Sequence, residues 1–304
     1  MVYALGEMLL DVLADRPVPP EKYITLGHPG GAMLNAAVSL TRSGINTALI
    51  SETGNDRIAQ FLLDFLNKNG VATQWIQQYA GIKASVALAT LDHQKKARYT
   101  FLKNYPEKRQ LKVPTLFSSS DVLLFGSLYA LDPTIRPQLK NILQKAKTAG
   151  SILLYDPNIR KPEQLSNPLL RKALEENLQI ADIIKGSDED FQAIFGKQSI
   201  ENHIDRLQQN HPEALVFITL GEKGARAFYQ HQSWKKTAWK VPVISTIGAG
   251  DGFNAGIVAA MIRHRLSRRQ LPENIPLMLD TGISFSAEVC RSKENYIPRK
   301  GKPL

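Results

Sequence analysis

Residues 245–256, with the sequence STIGAGDGFNAG, carry the strongest chemical signal in the chain. The small residues Gly248, Ala249 and Gly250 let a ligand approach the backbone closely, and the N–H groups at the start of a helix bind anions. Because an acid repels an anion, Asp251 is a poor choice for anion binding alone. It suits a general base that takes a proton from an attacking hydroxyl while the N–H groups hold a transferring phosphoryl group. The alternative is that Asp251 is an ordinary N-cap and that the glycines only form the turn.

Two common glycine signatures do not fit this sequence. A Walker A loop requires Gly-x-x-x-x-Gly-Lys followed by Ser or Thr, and no stretch of the sequence supplies it. A dinucleotide fingerprint requires Gly or Ala three residues after Gly250, where the sequence has Phe253. The glycines of this stretch therefore indicate neither a P-loop nor a Rossmann site.

A second set of polar residues accompanies the stretch GGAMLNAA. Gly30 and Gly31 precede a predicted helix whose second turn carries Asn35, an amide that can donate to and accept from sugar hydroxyls. Asp11, at the end of the first predicted strand, is a carboxylate of the kind that binds paired hydroxyls. Ligands bind beyond the carboxyl ends of parallel strands, and Asp11, the glycine pair, Asn158 and the 248–251 segment all follow strand-like runs, so they are predicted to share one edge. Taken alone, the glycine pair is better interpreted as a plain turn.

The elements that position these residues alternate along the chain. Short, almost continuous apolar runs such as DVLLFGS, SILLYDPN and ALVFITLG are separated by amphipathic helical patterns. Such runs are typical of parallel strands that helices cover on both faces. The sequence therefore predicts a three-layer α/β/α fold with a mostly parallel central sheet.

One segment departs from this alternation. Strand-like runs at 85–91 and 97–102 flank the polar turn DHQKK and predict a β-hairpin. With an earlier segment, this hairpin predicts a small β lid beside the main sheet, formed by about 11–25 and 84–110. No repeat or long linker interrupts the sequence, so residues 1–304 are predicted to form a single domain.

Composition argues against several classes of protein. The chain has 304 residues, a formal net charge of +10 and a single cysteine, Cys290. This length suffices to fold without disulfides, and a lone cysteine indicates a reducing compartment, so we expect a cytoplasmic protein. The sequence lacks an apolar run of about 18 residues and a basic start before its first apolar stretch, so we expect neither a transmembrane helix nor a signal peptide. The six histidines show no metal-ligand spacing.

The chain resembles the ribokinase-like carbohydrate kinases of the phosphofructokinase-B type, and their fructokinase-like branch in particular. The resemblance rests on GGAMLNAA, YDPNIR, ITLGEKGA and IGAGDGFNAG, which occur in the family's order and at roughly its spacing. It covers nearly the whole chain and implies the ribokinase-like fold. It also implies an ATP-dependent kinase that transfers the γ-phosphate to the primary hydroxyl of a monosaccharide, with ATP and Mg²⁺ as cofactors.

The resemblance also implies roles for individual residues. It makes Asp251 the catalytic base, with an anion hole formed by the amides of Gly248, Ala249 and Gly250. The implied sugar site comprises Asp11, Gly30, Gly31, Asn35 and Arg160. The implied ATP side comprises Lys185, Ser187, Thr219, Gly221 and Gly224. The family's magnesium motif falls at residues 187–190, which makes Asp190 a magnesium ligand through water.

The sequence departs from the family pattern where many relatives form a monovalent-cation site. Ser245 stands where the family has Asp, and Lys293 stands about where it has Gly. These two differences put activation by potassium in doubt. Ser187 replaces the Asn of the magnesium motif, whereas Asp251 and the small residues before it match the family.

D-fructose is the first expectation for the substrate, because of YDPNIR and the fructokinase-like register. The hairpin end FLKNYPEKR lacks the arginine and small residue that fructokinases commonly have there. A sugar acid of the 2-keto-3-deoxygluconate type is the alternative, since Arg160 and Lys103 could pair with a carboxylate. Ribose and nucleosides come third.

Two alternatives belong to other classes of protein. Ser187, Ser245 and Lys293 are consistent with a sugar-binding regulatory protein that has lost its activity. The charge of +10 is consistent with a nucleic-acid binder. The excess of Lys and Arg over Asp and Glu lies at 93–112 and 263–304, however, where a solvated surface or the attraction of ATP accounts for it. We therefore expect a sugar and ATP as partners, no nucleic acid and no membrane. The family also suggests a homodimer through the lid.

Overall fold

The structure is a computed structural model of the chain and describes residues 1–18, 22–91, 97–159 and 162–299. Its strands are β1 (Val2–Leu5), β2 (Leu9–Val18), β3 (Lys22–Gly30), β4 (Thr47–Thr53), β5 (Ile76–Gln78), β6 (Val86–Leu91), β7 (Ala97–Leu102), β8 (Val122–Gly126), β9 (Ile152–Asp156), β10 (Ile183–Ser187), β11 (Leu215–Thr219), β12 (Ala225–Tyr229) and β13 (Gln232–Lys236). Its α-helices are α1 (Ala32–Arg42), α2 (Arg57–Lys68), α3 (Arg136–Thr148), α4 (Pro168–Ile180), α5 (Asp188–Phe195), α6 (Ile200–Asn210), α7 (Ala249–Arg263) and α8 (Ile275–Cys290).

In the part of the chain that the structure describes, nine strands form the main sheet, in the order β13-β12-β11-β10-β9-β8-β1-β4-β5. All neighbours from β11 to β5 are parallel. The strands β12 and β13 add an antiparallel hairpin beyond β11. The predicted, mostly parallel sheet is therefore confirmed, and the carboxyl ends of its parallel strands meet at one edge.

Side chains of the main sheet alternate between two cores. In β1, Val2 and Ala4 pack with α1, α2, α7 and α8, whereas Tyr3 and Leu5 pack with α3, α4, α5 and α6. Because both faces of the strands are buried, their sequences are continuous apolar runs rather than alternating ones. The three-layer fold predicted from these runs is confirmed. Over the described ranges, none of the helices is long and apolar enough to cross a membrane.

The described residues also contain a second sheet of four strands, β3-β2-β6-β7, which we call the lid sheet. It consists of two antiparallel hairpins, β2–β3 and β6–β7, joined by parallel pairing of β2 with β6. The hairpin predicted at 85–91 and 97–102 is confirmed, although its turn at 92–96 lies outside the described residues. The first hairpin extends further in both directions than the predicted segment 11–25.

Close contacts between glycines fix α7 against α8. A Cβ on Gly256 would lie 2.5 Å from the carbonyl oxygen of Thr281 and 2.6 Å from Cα of Gly282. The two helix backbones therefore approach more closely than larger residues allow. This packing holds the N-terminal end of α7, which carries the residues singled out in the sequence, in a defined position.

Candidate active site

The segment that leads into α7 differs from its prediction. The run VISTIG predicts the end of a strand, but residues 237–248, all of which the structure describes, form no strand. Val243, Ile244 and Ile247 are exposed, so their apolar character does not reflect packing inside the sheet. Val243 and Ile247 instead line a cleft in front of α7.

Gly248 forms the N-cap of α7 in the left-handed region, with φ of 80°. A Cβ at this position would collide with the carbonyl oxygen of Asn295, so both conformation and space require glycine. No side chain caps this helix, and the Ala249 N–H donates to Thr246 O at 3.2 Å. The first turn thus has the glycine-bounded backbone that an anion site at a helix start needs.

Asp251 lies in the first turn of α7, two residues after its first residue Ala249, and is 7% exposed. The alternative that Asp251 is the N-cap is wrong, because Gly248 holds that position. The Asp251 Oδ2 atom accepts a hydrogen bond of 2.9 Å from Asn35 Nδ2. Asn35 lies near the start of α1 and is itself buried. The carboxylate is therefore oriented by a residue of the predicted sugar site.

The sequence suggested that Asp11 ends the first strand, and this prediction is wrong. The strand β1 ends at Leu5, and Asp11 is the third residue of β2 in the lid sheet. In register it lies across from Ala87, which in turn lies across from Phe101, so the three residues share one face of the sheet. A Cβ on Gly30 would collide with Asp11 Oδ2, which places these two predicted sugar-site residues in contact.

Gly31 connects the lid sheet to α1 with φ of 109°, and a Cβ there would collide with the carbonyl oxygen of Glu7. The glycine pair is therefore required by two close approaches and is more than a plain turn. Helix α1 begins at the next residue and places Asn35 within hydrogen-bond distance of Asp251. The structure thus forms one chain of contacts that includes Asp11, Gly30, Gly31, Asn35 and Asp251. Arg160, also predicted for the sugar site, lies outside the described residues.

A buried ionic group lies next to the start of α7. Lys185 Nζ donates to Asp156 Oδ2 at 3.0 Å, and Asn254 Nδ2 donates to the same oxygen at 2.6 Å. Burial disfavours the Lys185 ammonium, but the attraction of Asp156, followed by that of Asp190, leaves its pKa above the ordinary value. Lys185 is therefore charged at neutral pH. Its Nζ would lie 3.0 Å from a Cβ on Gly250, which places this charge beside the predicted anion hole.

Asp156 and Asn254 are site residues that sequence reasoning missed. The signal for Asp156 was present, since it is the polar end of the apolar run ILLYD at the predicted edge. Asn254 follows Asp251 by three residues in α7 and is fully buried. Its contact with Asp156 joins two segments that are 98 residues apart, and no local sequence pattern predicts such a contact.

A cleft of about 1660 Å³ opens in front of α7. Its lining includes every residue predicted for the ATP side, the anion hole, the base and the metal: Lys185, Ser187, Asp190, Thr219, Gly221, Gly224, Gly248, Ala249, Gly250 and Asp251. Trp239 and Val241 add apolar wall. Ligand sites typically combine such apolar walls with a few placed polar groups, as a nucleotide requires. The described sugar-site residues do not line this cleft and reach it through the contact of Asn35 with Asp251.

Asp190 is tied into the start of α5. Its Oδ1 accepts a 2.6 Å hydrogen bond from the Ile159 N–H, and its Oδ2 accepts from the N–H and hydroxyl of Ser187, at 2.7 Å each. No group of three or more His, Cys, Asp or Glu suited to a metal occurs among the described residues. The carboxylate is thus already engaged, and its contact with magnesium through water stays a prediction.

The region of the family's monovalent-cation site is held by hydrogen bonds. The N–H groups of Ile244 and Ser245 donate to Cys290 O at 2.8 and 3.3 Å. The hydroxyl of Ser245 accepts from the Ile247 N–H at 3.2 Å, and Lys293 is exposed. Position 245 therefore offers a neutral, engaged hydroxyl in place of a carboxylate.

Comparisons with known proteins agree with this geometry. Residues 4–272 match the family described as "pfkB family carbohydrate kinase". The "Probable fructokinase-2" of Arabidopsis thaliana is 30% identical over 275 residues, which cover 86% of this chain and 82% of that protein. The fructokinase from Vibrio cholerae O395 in apo form matches with a TM-score of 0.78 and 25% identity, over 94% of this chain and 96% of that chain. Its form with fructose, ADP and calcium ion bound matches with a TM-score of 0.79 and 24% identity, over 97% and 94%.

The resemblance and the fold predicted from the sequence are both confirmed. The family match spans most of the chain, and the structural matches cover nearly all of it. The cleft, the glycine-bounded helix start and the buried carboxylate are the parts that such an enzyme needs. The chain belongs to the pfkB family of carbohydrate kinases and is a sugar phosphotransferase.

Proposed function

We propose that this kinase uses ATP to phosphorylate a primary hydroxyl of D-fructose. The observation that carries the proposal is the position of Asp251, which lines the cleft and is hydrogen-bonded to Asn35 of the sugar side. A base must lie between two substrates if it is to take a proton from one as that one attacks the other. Fructose is favoured as the substrate because a relative 30% identical to this chain is named "Probable fructokinase-2".

In the proposed reaction the hydroxyl oxygen of the sugar attacks the γ-phosphorus of ATP. A new O–P bond forms to the sugar, and the bond from the γ-phosphorus to the bridging oxygen breaks. ADP leaves with that electron pair, and Asp251 takes the hydroxyl proton. Phosphoryl transfer asks little covalent chemistry of the protein, so positioning and electrostatics supply most of the catalysis.

Two features stabilise the negative charge of the transferring group. The first turn of α7 is a helix start, where backbone N–H groups attract an anion, and the amides of Gly248 and Gly250 flank Ala249, whose N–H donates to Thr246 O. The ammonium of Lys185 lies beside Gly250 and is held there by Asp156. Both are in place before the reaction, so no reorganisation is needed as the charge develops.

The residues of the cleft fit a magnesium ion that arrives with ATP. Asp188, Glu189 and Asp190 line the cleft at the start of α5. The described residues form no cluster of three metal-binding side chains, but magnesium keeps several of its waters and needs only one or two carboxylates beside the phosphates of its substrate. When bound, the ion neutralises charge on the β- and γ-phosphates. We propose that Asp190 contacts it through water, because both of its oxygens already accept hydrogen bonds from the protein.

The residues around Ser245 do not fit a potassium ion in the manner of the family. A hard cation is bound by oxygens, carboxylates among them, whereas Ser245 supplies a hydroxyl that already accepts from Ile247. The carbonyl oxygen of Cys290 likewise accepts two backbone N–H groups. We therefore propose a kinase that does not depend on potassium.

The lid sheet completes the sugar side. Phe101 of β7 lines the cleft and shares a sheet face with Asp11. We propose that this face lies over the bound sugar and excludes water, which would otherwise accept the phosphoryl group.

A panel assay tests the proposed function. Release of ADP is measured with D-fructose, D-ribose, adenosine and 2-keto-3-deoxygluconate, and the phosphorylated product is identified by mass spectrometry. The highest kcat/KM is expected for D-fructose. Activity confined to nucleosides would refute the sugar assignment, and the absence of any sugar-dependent ADP release would favour a regulatory protein without activity.

A further inference from the structure

Within the described residues, the chain crosses four times between the main sheet and the lid sheet, and three of these crossings meet at Glu7, which itself lies in the first of them, between β1 and β2. The second crossing passes through Gly31, which packs against the Glu7 carbonyl oxygen. The fourth leaves β7, and there Lys103 Nζ and Tyr105 OH donate to the Glu7 carboxylate at 2.8 and 2.6 Å.

Lys103 lies beside a residue of the lid sheet that lines the cleft. It directly follows β7, which ends at Leu102, and the cleft residue is Phe101, two positions earlier. The Lys103 Nζ atom lies 5.6 Å from the centre of the Phe101 ring. The intervening residue Leu102 points away and is 59% exposed. An ammonium group therefore lies beside a side chain that lines the cleft.

Tyr105, the second donor to the Glu7 carboxylate, is itself held in place by its neighbours. The guanidinium of Arg109 stacks 4.0 Å from the ring centre of Tyr105, and its fork binds the carboxylate of Glu52. Both side chains of this ion pair are almost completely buried. Burial, with the nearby negative charge of Glu7, raises the pKa of Tyr105, which keeps its hydroxyl a donor to Glu7 at neutral pH.

We infer that Glu7 is a specificity-determining residue that restricts this kinase to uncharged sugars by occupying Lys103. A carboxylate on a sugar acid would have to displace Glu7 from the ammonium and would then lie against the negative charge of Glu7. A neutral ketose has no such competition, because its hydroxyls carry no charge. The inference deepens the proposed function and rests on it.

Four forms of the full chain test the inference: the wild type, E7Q, K103Q and the double variant. Glutamine keeps the length of Glu7 and an oxygen for Tyr105 but removes the charge. For each form, kcat/KM is measured with D-fructose and with 2-keto-3-deoxygluconate. We expect E7Q to raise the ratio of sugar acid to fructose by about tenfold, which corresponds to ~1.4 kcal/mol. The double variant should show the same ratio as K103Q. Without the Lys103 ammonium, removing the charge of Glu7 frees no group that could bind the sugar acid.

A matched control removes a lysine from an ion pair elsewhere. Lys140 Nζ lies 3.0 Å from Glu176 Oε1, between α3 and α4, and neither residue lines the cleft. The K140Q variant should leave the ratio unchanged. The melting temperature of each form shows whether it is folded.

The outcomes separate this inference from the proposed function. A wild type that phosphorylates no sugar refutes the proposed function. A wild type that uses fructose, with an E7Q variant that slows both substrates equally or leaves the ratio unmoved, refutes only the role of Glu7. A wild type that prefers the sugar acid also refutes the role of Glu7, although the chain is still a kinase. Where turnover of the sugar acid is too slow to measure, its inhibition constant as a competitor of fructose replaces kcat/KM, and E7Q should lower that constant by the same factor.

Discussion

Asn35 Nδ2 and Asp251 Oδ2 lie 2.9 Å apart, although 216 residues separate them in the sequence. The bond joins α1, which follows the lid sheet, to α7, which borders the cleft. Both residues are buried, and a hydrogen bond shielded from water is stronger than one exposed to it. One carboxylate thereby links the cleft to Asn35, a residue of the predicted sugar site.

Replacing Asp251 by Asn should remove most turnover and leave ATP binding intact. The amide has nearly the shape of the carboxylate but cannot take the proton of the attacking hydroxyl. Loss of a general base of this kind costs about 10²–10⁴ in kcat. Steady-state ADP release measures kcat, and titration calorimetry measures the Kd of ATP. A D251N variant with nearly full turnover would end the assignment of Asp251 as the base.

Replacing Gly30 by Ala should raise the KM for the sugar and leave the Kd of ATP unchanged. The added Cβ would overlap Asp11 Oδ2, so the carboxylate must move from its place on the sugar side. Gly27→Ala in the same strand is the matched control, since its Cβ would lie 3.4 Å from Leu10 Cδ1, an ordinary contact. Equal effects of the two substitutions on the KM would show that Asp11 does not position the sugar.

The parts of the site that were predictable are those in which neighbours in sequence act together. Gly248 and Asp251 fall within one helical turn, so the pattern alone shows a small-residue turn followed by an acid. Gly30 and Gly31 were found in the same way. The contact between Asn35 and Asp251, and that of Asn254 with Asp156, depend on how separate helices pack, which no local spacing encodes.

Two predictions failed for a common physical reason. An apolar or strand-like sequence does not show which part of the protein its residues will pack against. The apolar run before α7 predicts a strand, yet Val243 and Ile247 face the cleft from a loop. The sequence pattern puts Asp11 at the end of the first strand, but the chain leaves the main sheet after Leu5 and begins a strand of the lid sheet. Hydrophobic periodicity predicts that a segment forms a strand or a helix. The sheet that a strand joins depends on its pairing with strands that are distant in the sequence.

Cys290 should be alkylated slowly at neutral pH and more slowly still with a bound nucleotide. The thiol belongs to a half-buried residue that lines the cleft. Burial raises the pKa of Cys290, so less reactive thiolate is present at pH 7 to 8 than for a free cysteine, and the rate should climb at higher pH. Because the chain has one cysteine, the mass shift with iodoacetamide reports this site alone. Rapid labelling at pH 7, or labelling unaffected by ADP, would contradict the prediction.

Turnover should be the same with and without potassium. The hydroxyl of Ser245 accepts from Ile247, and the carbonyl oxygen of Cys290 accepts two N–H groups, so these oxygens are already engaged by the protein. Initial rates are compared in potassium chloride and in choline chloride at equal ionic strength, which removes screening as a cause. A rate that rises steeply and saturates with potassium would contradict the expectation.

The double variant S245D/K293G supplies the positive control for that measurement. It restores the carboxylate at position 245 and removes the side chain at position 293, the two departures found in the sequence. If those departures are what excludes the cation, the double variant should acquire activation by potassium while the wild type stays indifferent. Each single variant should respond less than the double variant, because a cation needs both a charged oxygen and room for its remaining ligands.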